Sequence, residues 1–307
     1  VRSRRQRQMC IRDRAWRAHP ELHAAGALLP VALHFSGDQL SQFISTVLPQ
    51  HLTQPVPYFA FALELVPLLS STKGMHGYMA KSGALEYLLQ RALHVARQPN
   101  AKPAARGHAI DLLASLWVHF AIGLQAIPLE PLAPPAATDP EDPEGSIPKD
   151  SSAIVLAEIK RGCRDPDFEL QLTAHMALFR LLDHFAAATH PAAPVLFKVL
   201  AFSMIENHHE AVMRQFLARN MQHTLAQQPQ IPVGVLLKPL VKQATLYGYN
   251  NCDFDFFLVL AKHPRLGLRH ALLLMQFLGK VCLNDALHGR VGSIPFLVLV
   301  ERFHDQE

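Results

Sequence analysis

The sequence predicts an all-α protein, and three features of its 307 residues support this. Apolar residues recur at the three- and four-residue spacing of helices, whereas the alternation typical of strands is hard to find. Half of the residues are hydrophobic and only 18% are charged, so the chain can bury a large core. The 23 prolines fall mostly between the patterned segments, and 15 glycines are few for a β protein.

Residues 1–14 form a basic segment that we exclude from the fold. They carry six arginines and one aspartate; without them the 29 basic and 25 acidic residues become 23 and 24, and the net charge changes from +4 to −1. Residues 8–14 resemble the translated transposon-end adaptor used in sequencing libraries, so we expect a non-native segment and a missing natural start. The alternative is a basic arm for nucleic acid or nuclear import. The near-neutral remainder argues against a nucleic-acid partner.

Residues 15–126 are predicted to form an N-terminal block of helical repeats. Ser36 can cap the first helix, the pair Pro55 and Pro57 is expected to close a turn, and Ser82 can open a later helix. The Ser- and Gly-rich stretch 69–77 predicts an exposed turn. The predicted helices span residues 39–48, 58–69, 82–95 and 104–124.

The longest membrane candidate is the apolar stretch 109–129. It carries Asp111, His119 and Gln125 and ends near Pro128, whereas a spanning helix needs about 20 largely uninterrupted apolar residues. We therefore expect a buried helix and no membrane span.

Residues 127–150 interrupt the helical pattern with seven prolines and six acidic residues against one lysine. This composition buries too little apolar area to offset the entropy of ordering the chain. We predict a Pro-rich acidic loop or linker, and the alternative is a short linear motif for a partner.

Residues 151–307 are predicted to continue the helical repeats of the first block. Asp150 or Ser151 can cap the first helix, and Asp165 with Pro166 can begin the second. Gly289, Gly292 and Ser293 are interpreted as turn residues. The predicted helices span residues 153–163, 165–188, 195–206, 211–226, 233–246, 253–263, 268–283 and 294–303.

Two of these helices resemble the second helix of HEAT and armadillo repeats. The first copy reads Asp165-Pro166-Asp167, then Leu172, Ala174, Ala177, Leu178 and Leu181. The second copy reads His263-Pro264-Arg265, then Leu268, Arg269, Ala271, Leu274 and Leu278. The resemblance, together with a spacing of roughly 40 residues per helix pair, implies an α-solenoid of about six antiparallel helix pairs.

No catalytic, cofactor or metal site is predicted from the sequence. The 18 histidines form no His-Glu-x-x-His pattern, and no Cys-x-x-Cys occurs. Neither a Gly-x-Ser-x-Gly nucleophile motif nor a glycine-rich phosphate loop is present. With Cys10 set aside, the three cysteines left over are an odd number at wide spacing, which is typical of reduced intracellular thiols. We therefore expect an intracellular, cytoplasmic protein that is not an enzyme, and an enzyme with a dispersed site is a minority alternative.

The resemblance implies a non-enzymatic scaffold or adaptor that binds another protein, through an acidic or amphipathic segment, along a groove. The C-terminal third is rich in basic residues, which can converge on one surface of stacked helices. An aromatic stretch, 247–257, is either an exposed anchor for a partner or part of the core. The alternative is an adaptor that contacts anionic membrane through the basic groove. The candidate partner-binding residues are Lys238, Lys242, Arg269, Lys280, Tyr249 and Phe256.

Overall fold

A computed structural model describes residues 29–72, 74–127, 150–187, 190–207, 210–228, 254–284 and 286–304, with positions 233, 234, 237, 240–242 and 245 between them. Every regular element in these ranges is helical and none is a β-strand, so the predicted all-α class is confirmed. The helices are α1 (Leu29–Ala32), α2 (Gly37–Gln42), a π-helical turn (Phe43–Val47), α3 (Leu48–His51), α4 (Pro55–Ser71), α5 (Met75–Lys81), α6 (Ala84–Arg97), α7 (Pro103–Gln125), α8 (Ser151–Cys163), α9 (Phe168–Ala187), α10 (Ala192–Glu206), α11 (Ala211–Gln227), α12 (Phe254–Lys262), α13 (Leu268–Asn284) and α14 (Ala286–Phe303).

The chain divides into two compact units, Val1–Ala177 and Leu178–Glu307. The first part of α9 belongs to unit 1 and the remainder to unit 2. The predicted linker, residues 127–150, lies almost entirely outside the described residues, as do residues 1–14. The division into two repeat blocks at that linker therefore stays a prediction.

Unit 1 is built around α7, which packs against α4, α5, α6 and α8. Its buried side chains include Ile110, Leu113 and Trp117, which is 5% exposed. These neighbours remove most of the apolar residues of α7 from water, and this burial stabilises the unit.

Three arginines in unit 1 bind a buried carboxylate and a backbone carbonyl near the ends of neighbouring helices. The carboxylate of Glu158, 5% exposed, accepts from Arg97 Nε at 2.7 Å and from Arg161 Nη2 at 2.7 Å. The carbonyl of Ala96, at the end of α6, accepts from Arg161 Nη2 at 2.7 Å and from Arg106 Nε at 3.4 Å. Cations at a helix C-terminus complement its partial negative charge, so the network holds the ends of α6, α7 and α8 together.

The Ser36 prediction is confirmed, whereas the turns on either side of α4 are shorter than predicted. Ser36 forms a capping box with Gln39. Pro55 and Pro57 lie inside the first turn of α4, where a missing backbone N–H leaves no hydrogen bond unmade. Residues 75–77, expected in an exposed turn, begin α5, whose Met75 is buried.

Three other predicted caps separate into one that is confirmed and two that are wrong. Asp150 accepts from the backbone N–H of Ala153 and caps α8. The residue before α6 is Gly83 at φ +74°, a conformation that favours glycine, and not Ser82. Asp167 accepts from the N–H of Leu170 and caps α9, whereas Asp165 lies before the helix, where it accepts from the N–H of Asp167 and pairs with the guanidinium of Arg106.

In unit 2, α11 packs against α10 and α12, and α14 packs against α12 and α13. The described positions from 234 to 245 are helical. The predicted turn at Gly289, Gly292 and Ser293 is wrong, because these residues are helical and belong to α14. A Cβ on Gly292 would lie 3.4 Å from both the Phe254 ring and Val281, so α14 packs against α12 and α13 at this position.

Arg302 of α14 ties that helix to the end of α12. Its guanidinium donates to the carbonyl oxygens of Ala261 at 2.9 Å, His263 at 2.7 Å and Pro264 at 3.1 Å. These carbonyls close α12 and lack helical partners, so a tertiary contact supplies the cap that local sequence does not.

Candidate functional site

Three of the four predicted basic residues lie in the described part of unit 2. Lys242, Arg269 and Lys280 are all exposed, and none forms an ion pair with a described carboxylate. Lys238 lies outside the described residues. The basic charge of these three side chains is therefore available to an anionic partner.

Arg269 and Lys280 share one face of α13. They are 11 residues apart, which at 100° per residue places them about 20° apart around the helix and about 16 Å apart along it. The same arc carries exposed aliphatic side chains: Leu268 is 42% exposed, Leu272 is 47% and Leu283 is 87%. We call Leu268, Arg269, Leu272, Gln276, Lys280 and Leu283 the α13 face.

The α13 face combines aliphatic surface with positive charge and contains no acidic residue. The opposite side of α13 forms the core of unit 2, where Ala271, Leu274 and Leu278 are fully buried. Leu268 also belongs to the repeat pattern but lies on the exposed side, because it is rotated around the helix away from these three residues.

Gly234, eight residues before Lys242, lies against His270, the residue that follows Arg269 on α13. The ring of His270 occupies the space that a Cβ on Gly234 would need. A side chain at position 234 would overlap this ring. Glycine therefore lets the backbone at position 234 lie against the first turn of α13. The structure therefore places Gly234 beside the end of the α13 face that carries Arg269.

The predicted aromatic anchor is only partly described. Tyr249 lies outside the described residues. Phe256 is 2% exposed, so its assignment as a partner-binding residue is wrong. Helix α12 packs against both α11 and α14, and burial on two sides leaves Phe254, Phe256 and Phe257 all in the core.

A serine and two histidines meet in unit 1 at a place where two helices are irregular. Pro67 lies inside α4, and Phe120 of α7 has non-helical angles (φ −133°, ψ 35°). The Ser70 hydroxyl donates to the Pro67 carbonyl at 2.9 Å, and its oxygen lies 2.9 Å from Nδ1 of His119. The ring of His76 packs on Phe120 with centroids 4.9 Å apart.

This arrangement contains a Ser–His contact but not by itself an activated nucleophile. The Ser70 hydroxyl carries one proton, and the Pro67 carbonyl oxygen and His119 Nδ1 both lie 2.9 Å from its oxygen, so the carbonyl competes with the imidazole for that proton. Activation of serine requires the imidazole nitrogen to accept from the hydroxyl. Ser70 and His119 are 49 residues apart in sequence, so no local motif predicts their contact.

His263 is the most deeply buried polar group at the end of α12. It is 4% exposed, Nδ1 accepts from the N–H of Arg265 at 3.3 Å, and Nε2 has no hydrogen-bond partner among the described residues. Burial lowers the pKa of His263, and the nearby Arg302 and Arg265 lower it further. The side chain is therefore held neutral.

Other chemistry-bearing groups are dispersed in the described part of the chain. No group of three or more His, Cys, Asp or Glu side chains there could hold a metal ion. Cys163 and Cys282 are free thiols, and Cys252 lies outside the described residues. By length and composition, α7 is the one described helix that could cross a membrane, and 56% of its apolar window is buried inside the protein.

Comparison with known proteins assigns no relative. No protein-family profile, curated protein or solved structure matches the chain.

Proposed function

We propose that this protein is a non-enzymatic scaffold or adaptor that binds another protein through the α13 face. The observation that carries the proposal is the composition of that face: two cations without a carboxylate partner among the described residues, set beside three exposed leucines. Leucine side chains left in water at this density are costly in a monomer and are typical of binding surfaces.

The chemistry of the face selects an acidic amphipathic helix as the partner. A helix in a groove is recognised by aliphatic residues on one side, which Leu268 and Leu272 can contact. Carboxylates flanking that stripe would meet Arg269 and Lys280, and Lys242 extends the positive charge from the neighbouring stretch. Electrostatic attraction then sets the orientation, and aliphatic contact provides most of the affinity.

We further propose that the helices form a HEAT/armadillo-type solenoid of about six antiparallel pairs. The pattern of neighbours in unit 2, where α13 and α14 pack as successive helices, supports this arrangement. Short connections between successive helices are typical of such repeats. The resemblance of residues 165–181 and 263–278 to the repeat pattern is the second support.

The test is binding of a designed, fluorescein-labelled peptide of about 18 residues, five helical turns, with a leucine stripe flanked by glutamates. We expect fluorescence anisotropy to report binding by the wild-type chain that weakens as salt is raised. The double variant Arg269→Glu, Lys280→Glu should weaken binding roughly tenfold, since the two exposed charge contacts together contribute at most about 2 kcal/mol.

The matched control is Lys81→Glu, Lys102→Glu, two exposed lysines of unit 1 that change the net charge by the same amount. It should leave peptide binding unchanged at physiological salt. Equal weakening by both double variants would mean that net charge and not the α13 face attracts the peptide. That result would refute the proposal.

A peripheral adaptor for anionic membrane is the second candidate, because a helix face of leucines flanked by cations also fits a lipid surface. Sedimentation with vesicles of phosphatidylcholine alone or with added phosphatidylserine distinguishes the two. Binding to the anionic vesicles that the α13 double variant loses, without binding of the peptide, would favour the membrane.

A further inference from the structure

A second exposed aliphatic surface lies on α14. Val291 is 46% exposed, Ile294 is 54%, Leu297 is 62% and Val300 is 38%. Arg290 and Glu301, also exposed, lie at its two ends, and neither forms an ion pair with a described residue. We call these six residues, Arg290, Val291, Ile294, Leu297, Val300 and Glu301, the α14 face. At 100° per residue they fall within one half of the helix circumference.

The α14 face is symmetric about the point between Pro295 and Phe296. Ile294 and Leu297 each lie one residue outside that pair, Val291 and Val300 four residues outside, and Arg290 and Glu301 five residues outside. Reversing the direction of the helix therefore exchanges aliphatic for aliphatic positions and the cation for the anion. This is the property that a twofold interface requires, since residue i contacts j and j contacts i.

We propose that two copies of this protein associate through the α14 face, with the two helices antiparallel about a twofold axis. Ile294 and Leu297 lie on either side of the midline of the face, so two copies bring four aliphatic side chains together at the centre. Arg290 and Glu301 lie about 20° apart around the helix, close to the midline. Arg290 of each copy then lies opposite Glu301 of the other copy, at the same position along the helix axis.

Within one copy, Arg290 and Glu301 cannot form an ion pair with each other. They are about 16 Å apart along the helix, beyond the reach of an ion pair. A parallel arrangement would place arginine against arginine and glutamate against glutamate, which is repulsive. Charge complementarity thus specifies both a second copy and its direction. A single helix pair buries less area than a standard stable interface, so we expect a weak dimer that forms in a concentration-dependent manner.

Sedimentation velocity of the full chain, from about 1 to about 200 µM, tests the proposal over the range in which such a small interface can form. We expect a monomer–dimer equilibrium in the wild type and a monomer for Leu297→Asp. Val212→Asp, a change at a similarly exposed position (65%) on α11, is the control and should dimerise like the wild type. Circular dichroism checks that each variant keeps its helix content and melting temperature.

Charge exchange distinguishes this interface from any other use of the face. Arg290→Glu alone and Glu301→Arg alone each create two like-charged pairs and should weaken dimerisation roughly tenfold. The double variant, Arg290→Glu with Glu301→Arg, restores both pairs and should dimerise within about threefold of the wild type. An equimolar mixture of the two single variants should form heterodimers.

Three outcomes would overturn the proposal: a monomer at every concentration, a dimer that survives Leu297→Asp, or a double variant as weak as the single variants. The first would leave the α14 face to a different protein, and the last would exclude the antiparallel register.

Discussion

Replacing Glu158 by glutamine tests the arginine network of unit 1. The side chain is 5% exposed and accepts from Arg97 at 2.7 Å and from Arg161 at 2.7 Å and 3.0 Å. Glutamine keeps the shape but removes the negative charge, so two guanidinium groups then face a neutral amide. Removing one partner of a buried ion pair typically costs about 3–5 kcal/mol.

The expected cost at Glu158 is smaller because the arginines are partly solvated. Their side chains are 22% and 46% exposed, and water screens the charge that is left behind. We therefore expect the free energy of unfolding to fall by about 2 kcal/mol, and the melting temperature of unit 1 to fall by about 4–8 °C.

Urea denaturation followed by the fluorescence of Trp117 measures this change, because that indole is buried in unit 1 and only Trp16 must be replaced to make it the single reporter. Glu169→Gln, at an exposed position in the first turn of α9, is the control and should change stability by less than about 1 kcal/mol, the most that an exposed carboxylate at a helix N-terminus contributes. A Glu158→Gln effect no larger than that of the control would refute the idea that the network stabilises the unit.

Two further predictions concern packing and pH. Gly162→Ala places a Cβ 2.5 Å from Ile110 and 3.0 Å from Ala174, so we expect a loss of about 1–3 kcal/mol in urea denaturation, whereas Gly77→Ala in open space on α5 should stabilise by up to about 1 kcal/mol. Because burial, together with Arg302 and Arg265, lowers the pKa of His263, the unfolded chain takes up the proton first. Stability should thus fall as pH decreases below about 6.5, and His263→Gln should reduce this dependence, measured as the urea midpoint between pH 7.5 and 5.5.

The helices of this protein are largely predictable from sequence because their signals are local. Ser36 and Asp150 cap helices through bonds to residues three positions away, and apolar spacing alone locates α7 and α13. The turns were harder to predict. A proline is typical of the residues after a helix and is equally acceptable in the first turn of the next helix, where Pro55 lies. A glycine such as Gly292 favours a turn when only its local sequence is considered.

The contacts that hold the helices together join residues that are distant in sequence. Glu158 pairs with Arg97 across 61 positions, and Arg302 reaches the end of α12 across about 40. The α13 face illustrates the same limit. Arg269 and Lys280 are recognisable in the sequence as a basic pair, but the exposure of Leu272 and Leu283 beside them depends on which side of α13 packs against α14.

Photocrosslinking from the α13 face tests the central proposal most directly. Benzoylphenylalanine replaces Leu272, 47% exposed at the middle of that face, and in a second variant it replaces Ile122, 86% exposed on α7 of unit 1. On irradiation with the acidic amphipathic peptide, the account predicts a salt-sensitive crosslink from position 272 and none from position 122. Equal crosslinking from both positions, or none from position 272 while the peptide is bound, would contradict it.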